Sequence, residues 1–142
     1  MKLSLFCDGG ARGNPGPAAA GAVIFDVQKN KLAAVAKFLG NATNNQAEYA
    51  AVILGLQKVL EFQPTELEIL LDSKLLVEQI AGRWKIKDLE LRKLAEKVHV
   101  GLAQISKWQI SHIPRAKNHL ADQLVNQTLD QRGFRKSTFF RD

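Results

Sequence analysis

Residues 9–17 read Gly-Gly-Ala-Arg-Gly-Asn-Pro-Gly-Pro, a stretch with no helical option. On either side the chain is apolar: residues 2–8 (KLSLFCD) and residues 19–26 (AAGAVIFD). Both runs are short and read as strands. Asp26–Asn30 is a polar turn and Lys31–Leu39 a third strand, so the chain opens as an antiparallel meander. This beginning excludes an all-helical fold and places strands ahead of every helix.

The pattern then changes period. Gly40–Asn45 supplies side chains suited to N-capping, and a long apolar helix is expected from Ala47 to Phe62, ended by Pro64. Its apolar residues occur nearly all round, so it should be buried on more than one side. Glu66–Leu71 reads as a strand, and Ser73 caps a short helix over 74–81 that stops at Gly82. After a basic connector at 85–87, Asp88 caps a helix to about Ala103, with Leu91, Leu94, Ala95, Val98 and Leu102 at helical spacing. Lys107–Ile113 alternates as a strand with Trp108, Ile110 and His112 on one face. Pro114–Lys117 is a loop, and Asn118 caps a last helix with Ala121, Leu124, Val125 and Thr128 on its inner stripe. Residues 133–142 form a basic, aromatic tail.

This order implies an α/β fold: a five-stranded mixed sheet, three antiparallel strands then two parallel, flanked by helices. With the first strand central, the carboxyl ends of strands one and four lie side by side. Asp8 and Asp72 then meet where ligands of α/β sheets usually bind. The 142 residues suit one domain, taken as 1–142.

Four carboxylates stand at element ends or on a helical face: Asp8, Glu48, Asp72 and Asp122. Acids at the edge of a core are costly unless positive charge meets them. The net charge of +6 points to a polyanionic partner, nucleic acid or an acidic membrane surface. No apolar run is long enough to span a bilayer, and no signal peptide is read at the start. The single cysteine, Cys7, permits no internal disulfide and suits a reducing compartment, so a cytoplasmic location is expected. Oxygen ligands without histidine or thiolate select a hard cation, Mg²⁺ or Mn²⁺. Two such ions can clamp a scissile phosphate. Singly, each acid reads better as a cap or a surface ion pair; taken as a set, with their flanking sequences, the balance reverses.

The flanking sequences carry more. Asp8-Gly9-Gly10-Ala11-Arg12-Gly13-Asn14-Pro15-Gly16-Pro17 resembles the opening signature of type 1 ribonuclease H (ribonuclease HI). Thr43-Asn44-Asn45-Gln46-Ala47-Glu48 is similar to the family's T-N-N-x-A-E segment, and Leu71-Asp72-Ser73 to its third motif. Ile113-Pro114-Arg115-Ala116-Lys117-Asn118-His119-Leu120-Ala121-Asp122 resembles its closing motif. All four stand in the family's order, from Lys2 to about Leu129.

The resemblance implies the ribonuclease H-like fold and an endonuclease cutting the RNA strand of RNA–DNA hybrids, leaving 5′-phosphate and 3′-hydroxyl ends. Two Mg²⁺ ions are implied, with Mn²⁺ as a substitute. Asp8 would bridge them, Asp122 share the ion that activates water, and Glu48 and Asp72 share the ion at the leaving oxygen. Glu48, opening its helix, would be kept ionised by the helix dipole. Substrate contacts are carried over to Gly9, Gly10, Arg12, Asn14, Thr43, Asn44 and Asn45. Turn and cap roles for Asn14, Thr43 and Asn44 are compatible with contact. Double-stranded RNA is a second duplex of interest, and a monomer without a separate hybrid-binding domain is expected.

Two departures from the family pattern matter. The basic helix-and-loop protrusion of many members is replaced by the short connector Gly82–Asp88, as in the handle-less branch. There Arg83, Trp84, Lys85 and Lys87 either grip substrate by stacking and phosphate contact or form a core anchor and a solvated face. The loop before Asp122 also lacks the histidine of many members. Arg115, Lys117 or His119 is an auxiliary candidate there, although His119 reads better as a solvent-facing residue. A non-catalytic binding module, and a resolvase or integrase-type nuclease, are the competing readings. The intact acids disfavour the first, and the T-N-N-x-A-E segment the second.

Overall fold

A computed structural model of the chain describes residues 1–134. Five strands form one sheet: β1 (Lys2–Ala11), β2 (Gly16–Asp26), β3 (Lys31–Ala42), β4 (Glu66–Leu71) and β5 (Lys107–His112), in the order β3-β2-β1-β4-β5. β1 is central. It pairs antiparallel with β2 and parallel with β4, while β4 pairs parallel with β5. The expected mixed sheet is therefore the observed one.

The glycine-rich stretch is mostly strand, not turn. Gly9, Gly10 and Ala11 pair with Ala20, Ala19 and Ala18, which leaves only residues 12–15 to reverse the chain. Small residues on both strands let the ladder continue, and the missing Cβ at Gly9 serves packing across the sheet. A methyl group there would overlap the Ala47 carbonyl at the start of the helix above.

That helix, α1 (Asn44–Glu61), begins three residues before the expected Ala47. Thr43 and Gln46 form a capping box: Gln46 N–H donates to Thr43 Oγ1 at 3.1 Å, and Thr43 N–H to Gln46 Oε1 at 2.9 Å. α1 packs on β1 and β2 with Tyr49, Val52, Leu56 and Val59 fully or almost fully buried, and its far side meets α3 (Leu89–Leu102). Burial on more than one side follows. α2 (Lys74–Ile80) is capped by Ser73 and α3 by Asp88, as expected. Only residues 81–88 connect them, so no protrusion is built there.

The other face of the sheet carries α4 (His119–Gln131), packed against β2, β1 and β3. Val125 and Leu129 join Ala19 and Phe38 in a small cluster separate from the main core. Phe134 stacks on Phe38 with ring centroids 5.7 Å apart, and Arg132 lies 4.3 Å from the centre of the Phe38 ring. The remainder of the expected tail lies outside the described residues.

The segment before α4 differs from expectation. Pro114–Lys117 is not an open loop, because Arg115–Asn118 forms a 3₁₀ turn. Asn118 makes no side-chain cap to α4. Its amide turns inward and donates to the Cys7 carbonyl at 2.7 Å, just past the last β1–β4 pair, Phe6–Leu70. A buried strand carbonyl left unpaired costs more than an uncapped helix end open to water, so the inward bond prevails. No helix among the described residues is long and apolar enough to cross a membrane.

Gly9→Ala should push α1 from the sheet and destabilise the fold by about 3 kcal/mol, read by urea denaturation. Unchanged stability would mean that α1 is not seated by backbone contact at Gly9.

Candidate active site

The β1–β4 register places the site. Phe6 pairs with Leu70, so two residues on Asp8 and Asp72 come level where the ladder ends. α1 brings Glu48 to the same point because Ala47 rests against Gly9. Carboxylate oxygens of Asp8, Glu48 and Asp72 all lie within 4.8 Å of one another. Asp122 reaches the same cavity from α4 and receives the Asn126 amide at 3.2 Å. The four acids line one cavity of about 880 Å³, together with Gly9–Gly13, Asn44, Arg115 and Asn126.

The electrostatics are those of an acid cluster short of positive charge. Asp8 is pushed up to about 8, chiefly by burial, then by the Asp72 charge, the hydrogen bond with Asp122, and the charges of Asp122 and Glu48. Glu48 rises to about 7 through burial and the Asp72 charge, opposed by a hydrogen bond from Ser73 and the charge of Arg115. The expectation that the helix dipole keeps Glu48 ionised is corrected here. Because α1 starts at Asn44, Glu48 is its fifth residue, beyond the turn where the dipole acts.

Three clustered carboxylates, with Asp122 on the same cavity and no histidine or thiolate among the donors, fit a hard divalent cation. Burial pushes the Cys7 thiol up, and its side chain lies in the core. It behaves as a small core residue.

The remaining sequence candidates fall into three groups. Asn14 and Asn44 tie the hairpin tip to α1: Ala11 N–H donates to Asn44 Oδ1 at 2.8 Å, and Asn44 N–H to Asn14 Oδ1 at 3.0 Å. Asn14, Thr43 and Asn45 line a second cavity of about 270 Å³ with Gln46 and Asp88 at the α1 N-terminus. Arg12 borders the main cavity, but its guanidinium is engaged by Asp130 and Asn126. On the connector, Arg83 is held by Glu78 at 2.5 and 3.1 Å, whereas Trp84, Lys85 and Lys87 are exposed. Trp84, 46% exposed, is not a core anchor. Arg115 lines the cavity, Lys117 is exposed, and the exposed His119 sets Nδ1 3.3 Å from the Ala116 carbonyl.

Sequence reading missed three contributors. Ser73 reads only as a cap, yet it also helps to lower the pKa of Glu48. Asn118, read as a cap, sets its amide 3.4 Å from Asp72 Oδ2. Asn126 carried no signal, since a polar residue on a half-exposed helix ordinarily faces solvent.

A central strand flanked by one antiparallel and one parallel neighbour, with acids gathered at its carboxyl end, defines a domain of the ribonuclease H-like fold. The family profile described as "Reverse transcriptase-like" matches residues 6–128. The chain is 43% identical over 131 residues to the "Bifunctional protein Rv2228c" of Mycobacterium tuberculosis, covering 92% of this chain and 36% of that protein. It is 39% identical over 129 residues to "Ribonuclease HI" of Halobacterium salinarum, covering 91% of this chain and 65% of the relative. Thus it spans about a third of the mycobacterial protein and just under two thirds of the halobacterial one. Among solved structures, LC11-RNase H1 in complex with RNA/DNA hybrid superimposes with a TM-score of 0.88 at 38% identity, over 92% of this chain and 98% of that one. The chain belongs to the ribonuclease H family.

Asp8→Asn should stabilise the metal-free protein at pH 8 by about 2 kcal/mol in thermal or urea unfolding. The folded pKa of Asp8 lies above its unfolded value, so its contribution is complete below about pH 4 and is lost as pH rises through about 8. The asparagine variant should lack that downward slope. An equal slope in both proteins would remove Asp8 as its source.

Proposed function

We propose that the chain is a metal-dependent endonuclease that hydrolyses the RNA strand of RNA–DNA hybrids. The observation that carries the reading is the convergence of Asp8, Glu48, Asp72 and Asp122 on one open cavity whose rim is the glycine-rich hairpin. The relative solved with an RNA/DNA hybrid supports the substrate class.

Asp8, Glu48, Asp72 and Asp122 would hold two divalent cations, Mg²⁺ or its substitute Mn²⁺, with Asp8 bridging. When bound, such ions activate the attacking water and neutralise charge on the leaving 3′ oxygen. The protein's own part is placement. Gly9 and Gly10 let a sugar–phosphate backbone approach without side-chain obstruction. Asn14, Asn44 and Asn45, at the junction of hairpin and α1, offer amides to a minor groove, where contacts read shape more than sequence. Thr43 and the first amides of α1 suit a phosphate of the DNA strand. Glu48, beside Gly9 and the cavity, is placed to accept a ribose 2′-hydroxyl, the group that separates RNA from DNA. Arg115 brings positive charge to the phosphate side, standing where many relatives place a histidine loop. Water adds to phosphorus as the bond to the 3′ oxygen breaks, giving a 5′-phosphate and a 3′-hydroxyl.

The test is cleavage of a labelled RNA strand annealed to DNA, with Mg²⁺ and with EDTA, beside RNA–RNA and single-stranded controls. Cutting should require metal and a DNA-paired RNA strand. Asp8→Asn and Asp72→Asn should each lower it by at least about a thousandfold while the fold persists. Hybrid binding without cutting, in Mg²⁺ or Mn²⁺, would reduce the protein to a binding module.

Trp84, Lys85 and Lys87 stand exposed on the connector and would take part of the grip on the DNA strand. The double variant Lys85→Ala/Lys87→Ala should weaken hybrid binding and lower the slope of log K against log salt by about one to two. An unchanged slope would place the grip elsewhere.

A further inference from the structure

Three acceptors surround the Arg12 guanidinium at the hairpin tip. Nη1 donates to Asp130 Oδ1 at 2.8 Å and to the Phe134 carbonyl, and Nη2 donates to Asn126 Oδ1 at 3.0 Å. Only 12% of the side chain is exposed. An arginine so occupied is held in place and is not available to swing onto a substrate.

Asn126 carries the line inward. Its Nδ2 donates to Asp122 Oδ2 at 3.2 Å. The two residues stand one turn apart on α4, so their side chains share a face. Asp122 in turn faces the cavity that Asp8 lines, and its charge helps to raise Asp8. A continuous path of hydrogen bonds therefore runs from Arg12 through Asn126 to Asp122, which lines the same cavity as Asp8, Glu48 and Asp72.

The arginine decides how the amide is turned. A guanidinium only donates, so the atom facing it must be the amide oxygen, and the amide nitrogen is thereby aimed at Asp122. A flipped amide would set its nitrogen against a cation and its oxygen against a carboxylate, unfavourable at both ends. With Nδ2 in place, one oxygen of Asp122 is engaged, and the carboxylate cannot rotate without breaking that bond.

We propose that Arg12 and Asn126 are positioning residues for Asp122, with Arg12 acting through the Asn126 amide. The inference rests on the reading of Asp122 as one of the cation-holding acids. It gives Arg12 a role different from direct substrate contact and assigns one to Asn126, which no sequence motif marks.

The test uses the full chain and four variants, Asn126→Ala, Arg12→Ala, the double variant and Arg12→Lys, with Asp130→Ala as control. Mn²⁺ binding is titrated by electron paramagnetic resonance without substrate, and kcat and KM are measured on the hybrid. Asn126→Ala should weaken Mn²⁺ binding and lower kcat, each by about tenfold, with KM little changed. Arg12→Ala should do the same to a similar or smaller extent, the double variant should be no worse than Asn126→Ala, and Arg12→Lys should recover most of the loss. Asp130→Ala breaks the ion pair between hairpin and helix without touching Asn126. It should lower the melting temperature yet leave Mn²⁺ affinity and kcat as they were.

Losses that multiply in the double variant, or an Asp130→Ala variant as impaired as Arg12→Ala, would make Arg12 a plain structural tie and overturn the relay. If the unaltered protein binds Mn²⁺ but cuts no hybrid, the functional reading fails. The ordering of Mn²⁺ affinities then still decides whether the relay holds.

Discussion

The parallel pairing of β1 with β4 is the constraint on which the site depends. It sets Asp8 and Asp72 level at the end of a ladder whose last pair is Phe6–Leu70. A slip of one residue would turn either acid to the opposite face of the sheet. The register is held by the alternation of the strands themselves: Leu3, Leu5 and Cys7 on β1, and Leu67, Ile69 and Leu71 on β4, are buried in one core. Asn118 secures the point where pairing stops by taking up the Cys7 carbonyl and approaching Asp72. Core packing and the placement of the acids are thus decided by the same pairing.

Such a cluster opposes the fold that creates it. Burial and mutual repulsion raise Asp8 and Glu48 far above ordinary carboxylates. Arg115 and Ser73 offset this at Glu48. The protein bears a net +6, and among the described residues Arg12 and Arg115 are the basic side chains that line the acid cavity. Basic side chains such as Lys85 and Lys87 stand exposed on the surface, where they can meet a polyanion. The local shortage of positive charge is what makes the cavity a receptor for cations, and the surplus outside is what suits a nucleic acid.

Much of this was legible from residues alone, for identifiable reasons. The strands were readable because apolar runs are bounded by turn residues, and their order led to a mixed sheet with Asp8 and Asp72 adjacent. Element ends were less readable. Gly9–Ala11 looked like turn because glycine lowers strand propensity, whereas here its lack of a side chain seats α1. The start of α1 moved because a capping box at Thr43 and Gln46 outweighed the weak helix propensity of two asparagines. Asn118 and Asn126 lay beyond reach for another reason. Whether an asparagine faces water or a buried carbonyl depends on which strand end lies across from it, a fact of tertiary structure.

The two faces of the sheet are held unequally. α1, α2 and α3 share one large core with the strands, while α4 rests on a small cluster of Ala19, Val125, Leu129 and Phe38. Opening of α4 would therefore expose little apolar surface and leave the main core closed. In the language of hydrogen exchange, α4 is expected to open as a separate unit, its amides exchanging below the free energy of global unfolding. Asp122 travels with that unit, while Asp8, Glu48 and Asp72 stay with the core. In such an opening three acids of the cavity would persist without the fourth, so the completeness of the site follows the docking of one helix.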